Sequence, residues 1–112
     1  MSAATYNISI ERNATFEVSL ALKDASGTAI DVTNATIDAE IKQDYYFPAI
    51  ISFTVTKITP ASGIIKLSLT ANQTTNLHVG VLKYDVFAQY SSGTIQKILK
   101  GTVSVEENIT TL

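Results

Sequence analysis

Apolar and polar residues alternate with a period of two through nearly the whole chain, and a helix would scatter such a pattern around its surface. Tyr6, Ile8 and Ile10 alternate with Asn7 and Ser9. Phe16, Val18, Leu20 and Leu22 alternate with Glu17, Ser19, Ala21 and Lys23. The pattern returns at Ile37, Ala39 and Ile41, at Ile51, Phe53 and Val55, and at Ile65, Leu67 and Leu69. Leu82, Tyr84, Val86, Ala88 and Tyr90 share one face of a further strand, and Ile95, Leu99, Val103 and Val105 one face of the last. One apolar and one polar face per strand predicts antiparallel sheets packed on a single core. Threonine fills 15 of the 112 positions, and a β-branched polar residue suits the wet face of a sheet.

Turn chemistry separates these runs. Asp24-Ala25-Ser26-Gly27, Pro60-Ala61-Ser62-Gly63 and Ser91-Ser92-Gly93 read as turns, the last as a hairpin. Asp44 to Pro48 breaks the alternation and reads as a loop, and Gly101 marks a candidate bulge inside the last strand. The one helical candidate is a short polar piece from Thr70 to Leu77, with Thr70 as N-cap and at most a turn or two near residues 71–77. Seven to eight short strands without a long helix predict an all-β single domain over residues 1–112, a β-sandwich or small barrel. Tyr84, early in the penultimate strand after the Leu77-His78-Val79-Gly80 corner, favours the sandwich, because a tyrosine corner would sit there. The other reading of Tyr84 is a core aromatic.

Chemistry is sparse. Cysteine is absent, which removes disulfides and thiolate chemistry. A net charge of −2 with a single arginine, Arg12, leaves no basic surface for nucleic acid. The opening residues lack a signal-peptide pattern, and the apolar runs are too short for a membrane-spanning helix. His78 is the only histidine, and no carboxylate or hydroxyl lies at a spacing that would make it a base or a zinc ligand. Asp38 and Glu40 share a face of one strand, opposite Ile37, Ala39 and Ile41, so they read as a solvated surface pair. Calcium loops and glycine-rich phosphate loops are missing. Asn-x-Ser/Thr tripeptides at Asn7, Asn13, Asn34, Asn72 and Asn108 follow from a composition rich in both residue types. The expectation is a non-enzyme without a cofactor or a metal.

Two segments are candidates for contact. Tyr45, Tyr46 and Phe47, followed by Ile50, place aromatics in and after a loop, where they either anchor a partner or plug one end of the sandwich. The first strand, with Tyr6, Ile8 and Ile10, is a candidate for addition to a neighbour's sheet edge.

The order of motifs resembles that of small phage structural proteins. Tyr6 to Phe16 is similar to their opening strand, acidic residue, small turn and Ala-Thr-Phe. Leu22 to Thr36 resembles their "Lys-Asp-x-x-Gly-x-Pro-Ile-Asp-Leu-Thr-Gly" block, with Ala29 for the usual proline and Asn34 for the usual glycine. Leu77 to Gly80 followed by Tyr84-Asp85-Val86 looks like their "Leu-Pro-x-Gly…Tyr-Asp-Leu" corner. Ser92-Gly93-Thr94 and Lys100 to Val105 look like their closing hairpin. The N-terminal domain of phage baseplate upper proteins has a looser version of this layout. The match covers almost the whole chain, and its weight lies in the order of the motifs, since each alone is only a turn.

The resemblance implies an immunoglobulin-like β-sandwich, made in the host cytoplasm and built into the virion. Its partners would be copies of itself in a symmetric assembly and other virion proteins, with no nucleic acid and no membrane. A tail or baseplate building block is the first expectation. A capsid decoration or head–tail junction protein is the second. A module that binds host carbohydrate through Tyr45, Tyr46 and Phe47 is the third. Fold alone does not choose among them.

Overall fold

The alternating runs fold into two sheets that face each other. The structure, a computed structural model, describes residues 4–43 and 49–107. In chain order the strands are β1 (Ala4–Thr5), β2 (Ile8–Glu11), β3 (Phe16–Ala21), β4 (Ala35–Lys42), β5 (Ala49–Ser52), β6 (Thr54–Thr59) and β7 (Ile64–Leu69). A short helix, α1 (Ala71–Thr75), precedes β8 (Gly80–Tyr90) and β9 (Ile95–Glu106). The larger sheet runs β1-β9-β8-β4-β5, with β2 also paired to β9, and the smaller runs β3-β7-β6. This is the immunoglobulin-like arrangement: the last, penultimate and third main strands form one sheet with an added short strand, and the second, fourth and fifth form the other.

Nine strands appear among the described residues because the first is interrupted. β1 and β2 pair with β9 in one common register, Thr5 beside Lys100 and Ile8 beside Val103. Both run parallel to β9, a departure from the all-antiparallel expectation. Parallel neighbours need a long crossover between them, and here the rest of the domain supplies it.

Burial follows the alternation. β4 is buried at Ala35, Ile37, Ala39 and Ile41 and exposed at Thr36, Asp38 and Glu40. Ile10, Ile41, Ile65, Leu67, Val86 and Val103 are fully enclosed between the sheets. Phe16, Phe53 and Tyr84 form an aromatic line through this core, with ring centroids 6.0 and 6.1 Å apart and the second pair edge-to-face.

Two local readings are corrected. Ile51, Phe53 and Val55 do not belong to one strand. β5 lies in the larger sheet and β6 in the smaller, and the chain crosses between them at Phe53. In β9 the bulge is at Ile98, not Gly101: Val86 pairs with Leu99 but Phe87 with Lys97. The extra residue reverses the parity of what precedes it. Ile98 and Leu99 are therefore both buried, while Ile95 is 59% exposed.

Connections obey the turn residues. A 3-10 turn at Pro60–Ser62, beyond the single helical piece expected, ends at Gly63 with φ 71°. A side chain there would place its Cβ 2.5 Å from the Ile30 carbonyl oxygen and 2.8 Å from that of Leu22. α1 sits where the sequence places it. The Thr70 hydroxyl accepts from the Gln73 amide at 3.2 Å, and the Gln73 side chain accepts from the Thr70 amide at 2.8 Å. This reciprocal box satisfies two of the donors a helix start leaves open. Thr74, buried, donates to the Ala14 carbonyl at 2.8 Å and ties the helix to the β2–β3 turn. Thr70→Ala should cost about 1 kcal/mol in a urea melt, the usual worth of an N-cap.

Candidate functional site

The expected contact residues fall into different environments. Tyr45, Tyr46 and Phe47 lie outside the described residues. Ile50, on β5, is half-buried against the core. Tyr6 is 44% exposed between β1 and β2, whereas Ile8 is 6% exposed and Ile10 wholly enclosed. The first strand is thus spent on its own β9, and Ile8 cannot serve an outside sheet without leaving the core. That corrects the strand-addition reading for this segment.

Of the two readings of Tyr84 the structure has the core aromatic: its hydroxyl donates to the carbonyl of Tyr6, on the first strand, and not within the Leu77–Gly80 corner. The reason lies in the break between β1 and β2. The Tyr6 amide donates to the Lys100 carbonyl at 2.9 Å, as a parallel ladder requires. The next rung would carry the Thr102 amide to the Tyr6 carbonyl. Instead that amide donates to the Asn7 side-chain oxygen at 3.0 Å, and the Tyr6 carbonyl turns inward to the Tyr84 phenol. Gly101 leaves the room: a Cβ there would overlap the Tyr6 carbonyl oxygen and lie 2.8 Å from its carbon. The Tyr6 carbonyl and the Thr102 amide, which lose each other at the break, thus each gain another partner.

Burial, with a smaller contribution from the neighbouring Tyr6, pushes the Tyr84 phenol from the ordinary 10.0 up to about 12. The folded state therefore holds this proton more tightly than the unfolded chain does. Its stabilisation is complete below pH 10 and is lost as pH rises towards about 12. Alkaline unfolding followed by circular dichroism should steepen in that window, and Tyr84→Phe should flatten it.

The feature that sequence reasoning missed is an open edge on β4. β5 covers Glu40 to Lys42 and Phe53 reaches Ala39, leaving Ala35 to Asp38 with β8 as their one strand partner. Successive residues of an antiparallel strand turn their amides and carbonyls to opposite neighbours. The Ala39 carbonyl accepts from the Phe53 amide at 2.9 Å and the Ala35 carbonyl from the Lys57 ammonium. Both point away from β8, and so do the amide and carbonyl of Ile37 between them. A groove of about 430 Å³ follows this edge, lined by Ile37 and Ala39 with Phe53 and Val55 on the β6 side. Asp38, Glu40 and Asp85 line its outer side, with no basic residue among the lining. Asp85 lies 3.8 Å from Lys97, and Glu40 accepts from the Ser52 hydroxyl at 3.4 Å. Only the short span of β5 creates the opening, and no residue type in the sequence announces where pairing stops.

Asp38 and Glu40 thus sit on the exposed face where the sequence puts them, now beside the groove. His78 is exposed in the corner before β8. Among the described residues no three carboxylates, histidines or cysteines group as metal ligands.

No protein-family model and no curated protein matches the chain. Among solved structures it is similar to the Lin-41 filamin domain, with 16% identity and a TM-score of 0.49 over 88% of this chain and 82% of that one. It is also similar to CopC from Methylosinus trichosporium OB3b, with 19% identity and a TM-score of 0.44 over 97% of this chain and 91% of that one.

Proposed function

We propose that this domain is a non-enzymatic building block that works by holding other protein chains, and that its setting is a phage tail or baseplate. The observation that carries the contact role is the edge of β4 that β5 leaves open, with a groove running along it. Unpaired strand edges are normally blunted, and one lined by a groove offers a template for another chain. The virion setting is supported by the ordered turn motifs from Tyr6 to Val105. Such a domain does its work by occupying a fixed place, so its chemistry is complementarity of surface.

Light scattering on the purified protein at micromolar concentration tests this reading. A discrete assembly, or a monomer recovered in particles of the phage whose genome encodes it, is the expected result. A monomer absent from those particles would overturn it.

A further inference from the structure

We infer that the open edge of β4 is a strand-addition site for an extended segment of a partner protein with lysine or arginine at alternate positions. This rests on the contact role proposed above and names the occupant.

The backbone sets the first requirement. Ile37 presents one donor and one acceptor to the opening, flanked on the same edge by the carbonyls of Ala35 and Ala39. An extended chain supplies an acceptor and a donor at that spacing, which an isolated side chain does not. One of the two flanking carbonyls is already answered by backbone, the Phe53 amide. The other is answered by Lys57, whose ammonium also reaches the Thr33 carbonyl at 3.4 Å. A lysine on an edge is a common guard against unwanted pairing. Here it stands where the amide of an added strand would donate, on a stem that can swing aside.

Charge decides the sequence of the occupant. On an added strand, alternate side chains would lie on the outer face beside Asp38, with Glu40 and Asp85 within reach. Three carboxylates line that side; Asp85 is paired with Lys97 at 3.8 Å, and Asp38 and Glu40 favour cationic residues and repel anionic ones. The intervening side chains would face Ile37, Phe53 and Val55 and be apolar.

The test uses the peptide Thr-Lys-Val-Lys-Val-Thr, its glutamate counterpart Thr-Glu-Val-Glu-Val-Thr, and amide exchange read by NMR on the full chain. Saturating the protein with the lysine peptide should slow exchange at the Ile37 amide by about tenfold or more. The glutamate peptide should bind at least about tenfold more weakly, and Asp38→Lys should reverse the preference. Lys57→Met should tighten binding of the lysine peptide by removing the competing donor. Equal binding of the two peptides, or binding with no slowing at Ile37, would overturn the assignment. An assembly that persists unchanged in Asp38→Lys, with no peptide bound, would sink the groove and leave the building-block role standing. Peptide binding by a chain that is absent from virions would do the opposite.

Discussion

Gly101→Ala is expected to lower stability by about 3–4 kcal/mol, because the added methyl occupies the place of the Tyr6 carbonyl. The strain of overpacking accounts for roughly 1–3 kcal/mol. If the carbonyl moves away, it leaves the Tyr84 hydroxyl without its acceptor inside the core, a further cost of about 1–3 kcal/mol. β1 and β2 hang on this point, since their register against β9 continues on either side of it. Urea melts of the single variants and of the double variant with Tyr84→Phe resolve the cause. Tyr84→Phe alone should cost about 1–2 kcal/mol. In the Gly101→Ala background it should cost almost nothing, because the bond is already broken. Additive losses would mean that the two residues act independently.

Phe53→Ala should be costlier still for packing, about 3–5 kcal/mol. Phe53 is 6% exposed and stands between Phe16 and Tyr84 in the aromatic line. It also carries the chain from one sheet to the other, and its amide closes the rung to Ala39. The backbone on both sides is committed to a sheet, so the cavity has little freedom to collapse. The unfolding midpoint should fall by more than about 10 °C, read by calorimetry. A loss below about 2 kcal/mol would show that the sheets close over the gap.

What the sequence could and could not reveal divides along physical lines. Alternation located the strands because one face of each is dry and the other wet. The polar stretch after Thr70 located the N-cap, but the reciprocal bond from Gln73 emerges only in the fold. It could not reveal the bulge at Ile98, because an extra residue carries no compositional mark and simply shifts parity. Nor could it reveal the crossing at Phe53, where no turn residue interrupts the pattern Ile51, Phe53, Val55. Gly101 was visible as an oddity within an apolar run. Its reason lies in Tyr6, almost the whole chain away, and emerges only when the two strands meet. The aromatic segment drew attention by composition, whereas the open edge of β4 depends on how far β5 extends, a property of pairing and not of residue type.

The parallel pairing of β2 with β9 has a consequence for the order in which the protein can be made. Asn7 and Thr102, which bond across that seam, are 95 positions apart. A ribosome releases β2 well before β9, so Ile8 and Ile10 wait in water until β9 has emerged. The nascent sandwich therefore presents an unsealed apolar flank until then. Pairing with β9 seals it, and a chain that stops short of Val105 should remain in the hands of chaperones.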